Sequence, residues 1–129
     1  MEKKDPVEEA KRYVDNAKKL LVENGELDTD THLYGGRKYV RMAGDTLWKG
    51  VLYLLDAVFH VRKDRRTRVH IEDYQEAIAK RDGKLAKLVY TGYDTMHLYM
   101  GYDGVQSKSI CDTGFRLANE IIDRCARLI

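Results

Sequence analysis

Proline occurs once in these 129 residues, at position 6, and cysteine twice, at 111 and 125. One proline leaves no turn-rich β architecture to expect, and the mixture of charged residues with Leu, Ala, Val, Ile and Tyr favours long helices. Two cysteines fourteen positions apart in what reads as one helix are separated by roughly 21 Å along its axis, so they do not bridge each other. Reduced thiols packed in a core are the expectation, which suits a cytoplasmic protein.

The chain also lacks an excess of either charge: 23 basic residues face 21 acidic ones, for a net charge of +2. A general attraction to nucleic acid or to an anionic membrane is therefore not implied, and any electrostatic recognition must be local. Long apolar runs are missing as well. The most apolar stretch, Val51 to Phe59, is interrupted by Asp56 and is far too short to span a bilayer, so no membrane partner is expected. Several chemistries lack their signatures. There is no Gly-x-Ser-x-Gly elbow, no phosphate-cradling Walker loop, no dinucleotide glycine fingerprint, and no His-Glu-x-x-His or Glu-x-x-His unit among His32, His60, His70 and His97. Neither a metal site nor a cofactor is expected.

What is present is apolar periodicity. With 43% hydrophobic residues the chain carries enough material for one core, and residues 1–129 are expected to form a single all-α domain, an antiparallel bundle of four or five helices. Asp5-Pro6-Val7-Glu8 is a helix start, with a capping carboxylate, proline at the first turn and capping-box spacing. Val7, Ala10, Tyr13, Val14, Ala17, Leu20 and Leu21 then share one face until Asn24-Gly25 ends the helix. Glu26 to Thr31 reads as a polar turn. A central helix begins between Thr31 and Lys38 and runs to Phe59, apolar over about half its circumference. Gly44 and Gly50 each cost this helix roughly 1 kcal/mol against alanine, and close approach of neighbouring helices is the expected reason.

After a basic connector from His60 to Val69, helices are expected over about 70–81, 84–102 and 107–128, with stops at Asp82-Gly83 and Asp103-Gly104. At 100° per residue the fourth helix buries Leu85, Leu88, Val89, Gly92, Met96 and Tyr99. Its other face then gathers Tyr90, Tyr93, Asp94, His97 and Gly101. Asp94 and His97, three apart, suit a carboxylate that orients an imidazole, between two phenols and a glycine that opens space. Such a surface suits a phosphate, a base or a proton transfer; it equally suits packing on a partner helix or a second copy of the chain.

A second constellation is the connector, where Arg62, Arg65, Arg66 and Arg68 stand between His60 and His70. Guanidinium groups fit phosphates through paired charge-assisted hydrogen bonds, though cations also complement a helix C-terminus. Gly35-Gly36-Arg37-Lys38 before a helix offers amides to an anion, or simply a loose helix start.

The tract Tyr93-Asp94-Thr95-Met96-His97-Leu98-Tyr99-Met100-Gly101-Tyr102-Asp103-Gly104, following the helical segment Tyr39 to Phe59, resembles a family of small uncharacterised bacterial all-helical proteins over nearly the whole chain. The resemblance implies fold and cytoplasmic location, and no activity. More distantly, the chain is similar to the HEPN (higher eukaryotes and prokaryotes nucleotide-binding) domains, which include metal-independent ribonucleases and non-catalytic relatives.

That second resemblance implies a site of its own. Active HEPN ribonucleases use an arginine followed a few residues later by a histidine, and Arg65-x-x-x-x-His70 fits the string. His70 would then act as acid or base while the 2′-hydroxyl attacks the adjacent phosphate, with Arg65 stabilising developing charge. Arg66 stands where that motif usually has a polar residue, and the arginine is missing before His97, where residues 91 to 93 are Thr91, Gly92 and Tyr93. These departures imply a non-catalytic relative. The leading expectation is thus a helical module for self-association, as a homodimer, or for binding a protein partner. An RNA-cleaving, RNA-binding or nucleotide-binding domain is the alternative. The residues expected to bind are Tyr90, Tyr93, Asp94, His97, Arg62, Arg66 and Arg68.

Overall fold

The computed structural model describes residues 5–62 and 68–129. It is a mainly helical bundle: α1 (Pro6–Asn24), α2 (Arg37–Phe59), α3 (Ile71–Ala79), α4 (Gly83–Gly92), a π-helix (Tyr93–Tyr102) and α5 (Lys108–Ala126). Between α1 and α2 lies a hairpin of two-residue strands, β1 (Leu27–Asp28) and β2 (Leu33–Tyr34), paired antiparallel as Leu27 with Tyr34 and Asp28 with Leu33.

The helix ends follow from local chemistry. Asp5 Oδ1 accepts from the amides of Val7 (2.9 Å) and Glu8 (3.5 Å), capping α1 ahead of Pro6. Glu8 turns outward to Lys11 at 3.5 Å. Asp82 caps α4 through the amide of Leu85 (3.1 Å), and Ser107 caps α5 through that of Ile110 (3.3 Å). Asp82 also takes both arms of the Arg124 guanidinium, at 2.6 and 3.0 Å, which ties the α3–α4 corner to α5. That charge-assisted pairing holds the Asp82 carboxyl below the usual range.

The polar segment Glu26 to Thr31 is more structured than a turn. Gly35 and Gly36 donate their amides to the carbonyls of Glu26 and Gly25, both at 2.9 Å, and so extend the hairpin pairing. Those two amides serve the hairpin and are not offered to an anion.

α2 is the central helix, packed against α1, the π-helix and α5. Val40, Ala43, Leu47, Val51, Leu54 and Leu55 on it are fully buried. Its two glycines have the expected cause. A Cβ on Gly50 would lie 2.5 Å from Cβ of Tyr13 on α1, and one on Gly44 would lie 2.5 Å from both the Gly101 amide nitrogen and Met100 Cβ.

The expected helix over 84–102 divides in the middle. Up to Gly92 it is an α-helix; beyond, the turns widen, as the bond from Asp103 N to Leu98 O at 2.8 Å shows across five residues. The wider turn changes which residues share a face. After Met96 the next residue to point into the core is Met100, and Tyr99, assigned to the core at 100° per residue, is 46% exposed. Residue propensities do not select this geometry. What accompanies it is the glycine contact with α2, and Gly114 on α5, where a Cβ would lie 2.6 Å from Met100 Sδ.

Cys111 and Cys125 are buried and unbridged, and burial pushes both thiols up to about 12.

Candidate functional site

Tyr93 and His97 from one of the two constellations, and Arg62, Arg68 and His70 from the other, line one cavity of about 370 Å³. That lies within the range of roughly 300–1,000 Å³ found for small-molecule sites. Tyr93 and His97 form one wall, Trp48 and Leu52 on α2 the floor, Ile71 and Tyr74 on α3 the opposite wall, and Arg62, Arg68, His70 and Glu72 the mouth.

The π geometry places the first wall. Residues four apart share one side of the helix, and the rings of Tyr93 and His97 lie 5.2 Å apart at 37°. Trp48 meets both, edge-on to Tyr93 at 5.7 Å and tilted 30° to His97 at 6.1 Å. Trp48 itself is only 6% exposed, so the three rings make a fixed aromatic surface with Tyr93 and His97 nearer the opening.

Within that surface one polar atom stands out. His97 Nδ1 is buried and makes no hydrogen bond among the described residues. Asp94, three residues earlier, therefore does not orient it through that nitrogen. An unpaired buried ring nitrogen carries a desolvation cost of about 1–3 kcal/mol, which a ligand hydrogen bond would offset.

The cationic mouth is anchored from behind. Tyr74 donates its hydroxyl to Asp56 Oδ1 at 2.9 Å, and Arg62 Nε lies 3.9 Å from Asp56 Oδ2. Burial, reinforced by the Asp56 carboxylate, pushes the Tyr74 phenol up to about 12. His70 sits at the entrance to α3, where Asp73 Oδ2 accepts from its backbone amide at 2.9 Å, and its side chain is exposed.

Of the other expected site residues, Tyr90 is 54% exposed and lines no part of the cavity, nor does Asp94. Gly101 faces α2, where a Cβ would lie 2.7 Å from Asp45 Oδ1, so it admits a helix and does not open the site. Arg65 and Arg66 lie outside the described residues. Trp48, Leu52, Tyr74 and Glu72 were not anticipated here. Trp48 and Tyr74 satisfy a core periodicity, which hides that each has an edge on a cavity; the single tryptophan was the available signal. Among the described residues no three His, Cys, Asp or Glu side chains gather as a metal site, and no helix is long and apolar enough to cross a membrane.

Comparison with known proteins places the chain in a family without carrying an activity to it. A protein of unknown function from Dyadobacter fermentans is 37% identical, matches over 96% of both chains and superposes with a TM-score of 0.87. No curated protein matches. A family model described as Domain of unknown function (DUF5618) matches residues 5–127, and the chain belongs to that family.

Proposed function

Starting from membership in a family with no assigned activity, we propose that this protein is a ligand-binding module whose cavity takes a nucleotide or the exposed end of an RNA strand. One observation carries the reading: a fixed aromatic surface and a cationic mouth line the same small cavity. A nucleobase stacks on aromatic faces with about 1–3 kcal/mol per base, and its phosphate suits Arg62 and Arg68. His97 Nδ1, which has no hydrogen-bond partner among the described residues, offers a directional contact inside. Arg65 and Arg66, which lie outside the described residues, are proposed from the sequence alone to contribute charge to phosphate binding. A role for Tyr90 and Asp94 is confined to the outer surface of the same helix, where a protein partner or a second copy would meet them.

A second reading, cleavage of RNA without metal in the manner of HEPN relatives, has one observation in its favour. His70 and His97 line the same cavity, which supplies an acid and a base to one phosphodiester, with Arg65 as the charge-stabilising partner expected from the sequence.

Trp48 is the only tryptophan, so its fluorescence reports the cavity alone. Titration with adenosine monophosphate and with a short RNA is expected to give saturable quenching. Tyr93→Ala and Arg68→Ala should each weaken binding on the order of tenfold, the latter more at low salt. No change with either ligand at millimolar concentration would sink the binding reading. Incubation of the same RNA in chelator, beside His70→Ala, decides the second: intact RNA removes it, and cleavage lost with His70 establishes it.

A further inference from the structure

We propose that the groove between α1 and α5 seats the α1 helix of a second copy of this chain, making a two-fold dimer centred between Asp15 and Lys18. The groove, about 490 Å³, runs beside Val14, Leu21 and Val22 on α1 and Phe115 on α5, and is closed at one end by Leu27 of the hairpin. It shares no lining residue with the aromatic cavity. Val14 and Leu21, 8% and 3% exposed, form its buried floor, and Val22, 74% exposed at its edge beside Leu27, is the exposed end of this apolar strip.

The charges along α1 select the occupant. In the first turns each cation has a partner on its own helix: Lys11 with Glu8 at 3.5 Å, Arg12 with Glu9 at 2.8 Å. One turn on, Asp15 and Lys18 are exposed beside the groove and form no ion pair with each other or with another described residue. A strip with one free charge of each sign favours neither an acidic nor a basic partner. It matches itself reversed. A two-fold axis between these residues sets Asp15 of each copy against Lys18 of the other, and satisfies both pairs at once, as an isologous interface requires. The same operation lays Val22 against the aliphatic stem of Lys11, which covers the exposed end of the strip while the ammonium stays in water.

The test is sedimentation velocity of the whole chain over a concentration series, with circular dichroism as the fold control, since every altered side chain is exposed. The unaltered protein should pass from monomer to dimer with concentration, less readily in high salt. Asp15→Lys and Lys18→Asp should each weaken the dimer at least tenfold, because each sets like charges face to face. An equal mixture of the two variants should restore it as a heterodimer with both pairs opposite in sign. Val22→Lys, which removes the apolar contact and sets a like charge against Lys11 of the other copy, should weaken it by a similar factor. A protein that sediments as a monomer throughout overturns the proposal and leaves the groove to a different partner. So does a dimer indifferent to these changes, or a mixture that stays monomeric.

Discussion

The two faces of the π-helix differ in packing, although the same ten residues supply both. On one face Met96 and Met100 are fully buried, and Gly44 and Gly114 exist there because a methyl group has no room. On the other, Tyr93 and His97 border an open cavity, and a buried nitrogen of His97 has no hydrogen bond among the described residues. Protein interiors are normally packed as densely as organic crystals and leave few polar groups unpaired. The close-packed face fixes the backbone, and that rigidity lets the other face hold three rings around a space without collapsing into it.

The largest way to break this contrast is to put a side chain where the seam has none. Gly44→Ala places its methyl 2.5 Å from a backbone nitrogen and 2.6 Å from the Met96 carbonyl oxygen, neither of which can rotate away. The gain of roughly 1 kcal/mol in helix propensity is outweighed by overpacking, and a net loss of about 2–3 kcal/mol is expected in urea denaturation. Gly114→Ala meets instead the sulfur of Met100, a flexible side chain, and should cost less than half as much. Equal losses at both sites would show that backbone contact is not what the seam depends on.

The helices and the close approach at Gly44 and Gly50 were legible in the sequence and the cavity was not, for physical reasons. Asp5, Pro6 and Asn24-Gly25 mark the ends of α1 by local hydrogen bonding, and α2 announces itself through a periodicity of 3.6. Glycine inside a long helix signals close approach because it is otherwise costly. The hairpin at Leu27–Tyr34 escaped, since strands of two residues show no alternation. The π turn escaped too, and with it the exposure of Tyr99 and burial of Met100. The cavity joins α2, α3, the π-helix and the residues before α3, so its existence is a tertiary fact. In the sequence Tyr93 and His97 stand in one place and Arg62, Arg68 and His70 in another, with nothing to give the distance between them.

Tyr74 tests the cavity side at intermediate magnitude. Tyr74→Phe removes the hydroxyl that Asp56 accepts, leaving a part-buried carboxylate one donor short, and should cost about 1–1.5 kcal/mol. The pH dependence has a definite sign. Burial and Asp56 raise the folded-state phenol from 10.0 to about 12, so its contribution is complete below pH 10 and is lost as the pH climbs toward 12. Cys111 and Cys125, also raised to about 12, weaken the fold in an overlapping window, and the difference between the parent and Tyr74→Phe isolates the phenol. A difference that stays constant from pH 9 to 12 would mean that Tyr74 ionises alike in the folded and unfolded chain.

His97 should give the smallest change in stability and the most informative one. His97→Phe keeps a ring against Trp48 and Tyr93 but removes the nitrogen that has no hydrogen bond among the described residues. Removing an unsatisfied buried polar atom leaves stability unchanged or raises it by up to about 1 kcal/mol in the same urea experiment. Nucleotide-dependent quenching of Trp48 should fall nonetheless, because the directional contact inside the cavity is gone. Stability and binding moving in opposite directions is what a site held open at the expense of packing requires. A loss of stability instead would mean that the imidazole is satisfied in solution and belongs with the close-packed face, and the contrast between the two sides of the π-helix would then rest on Tyr93 alone.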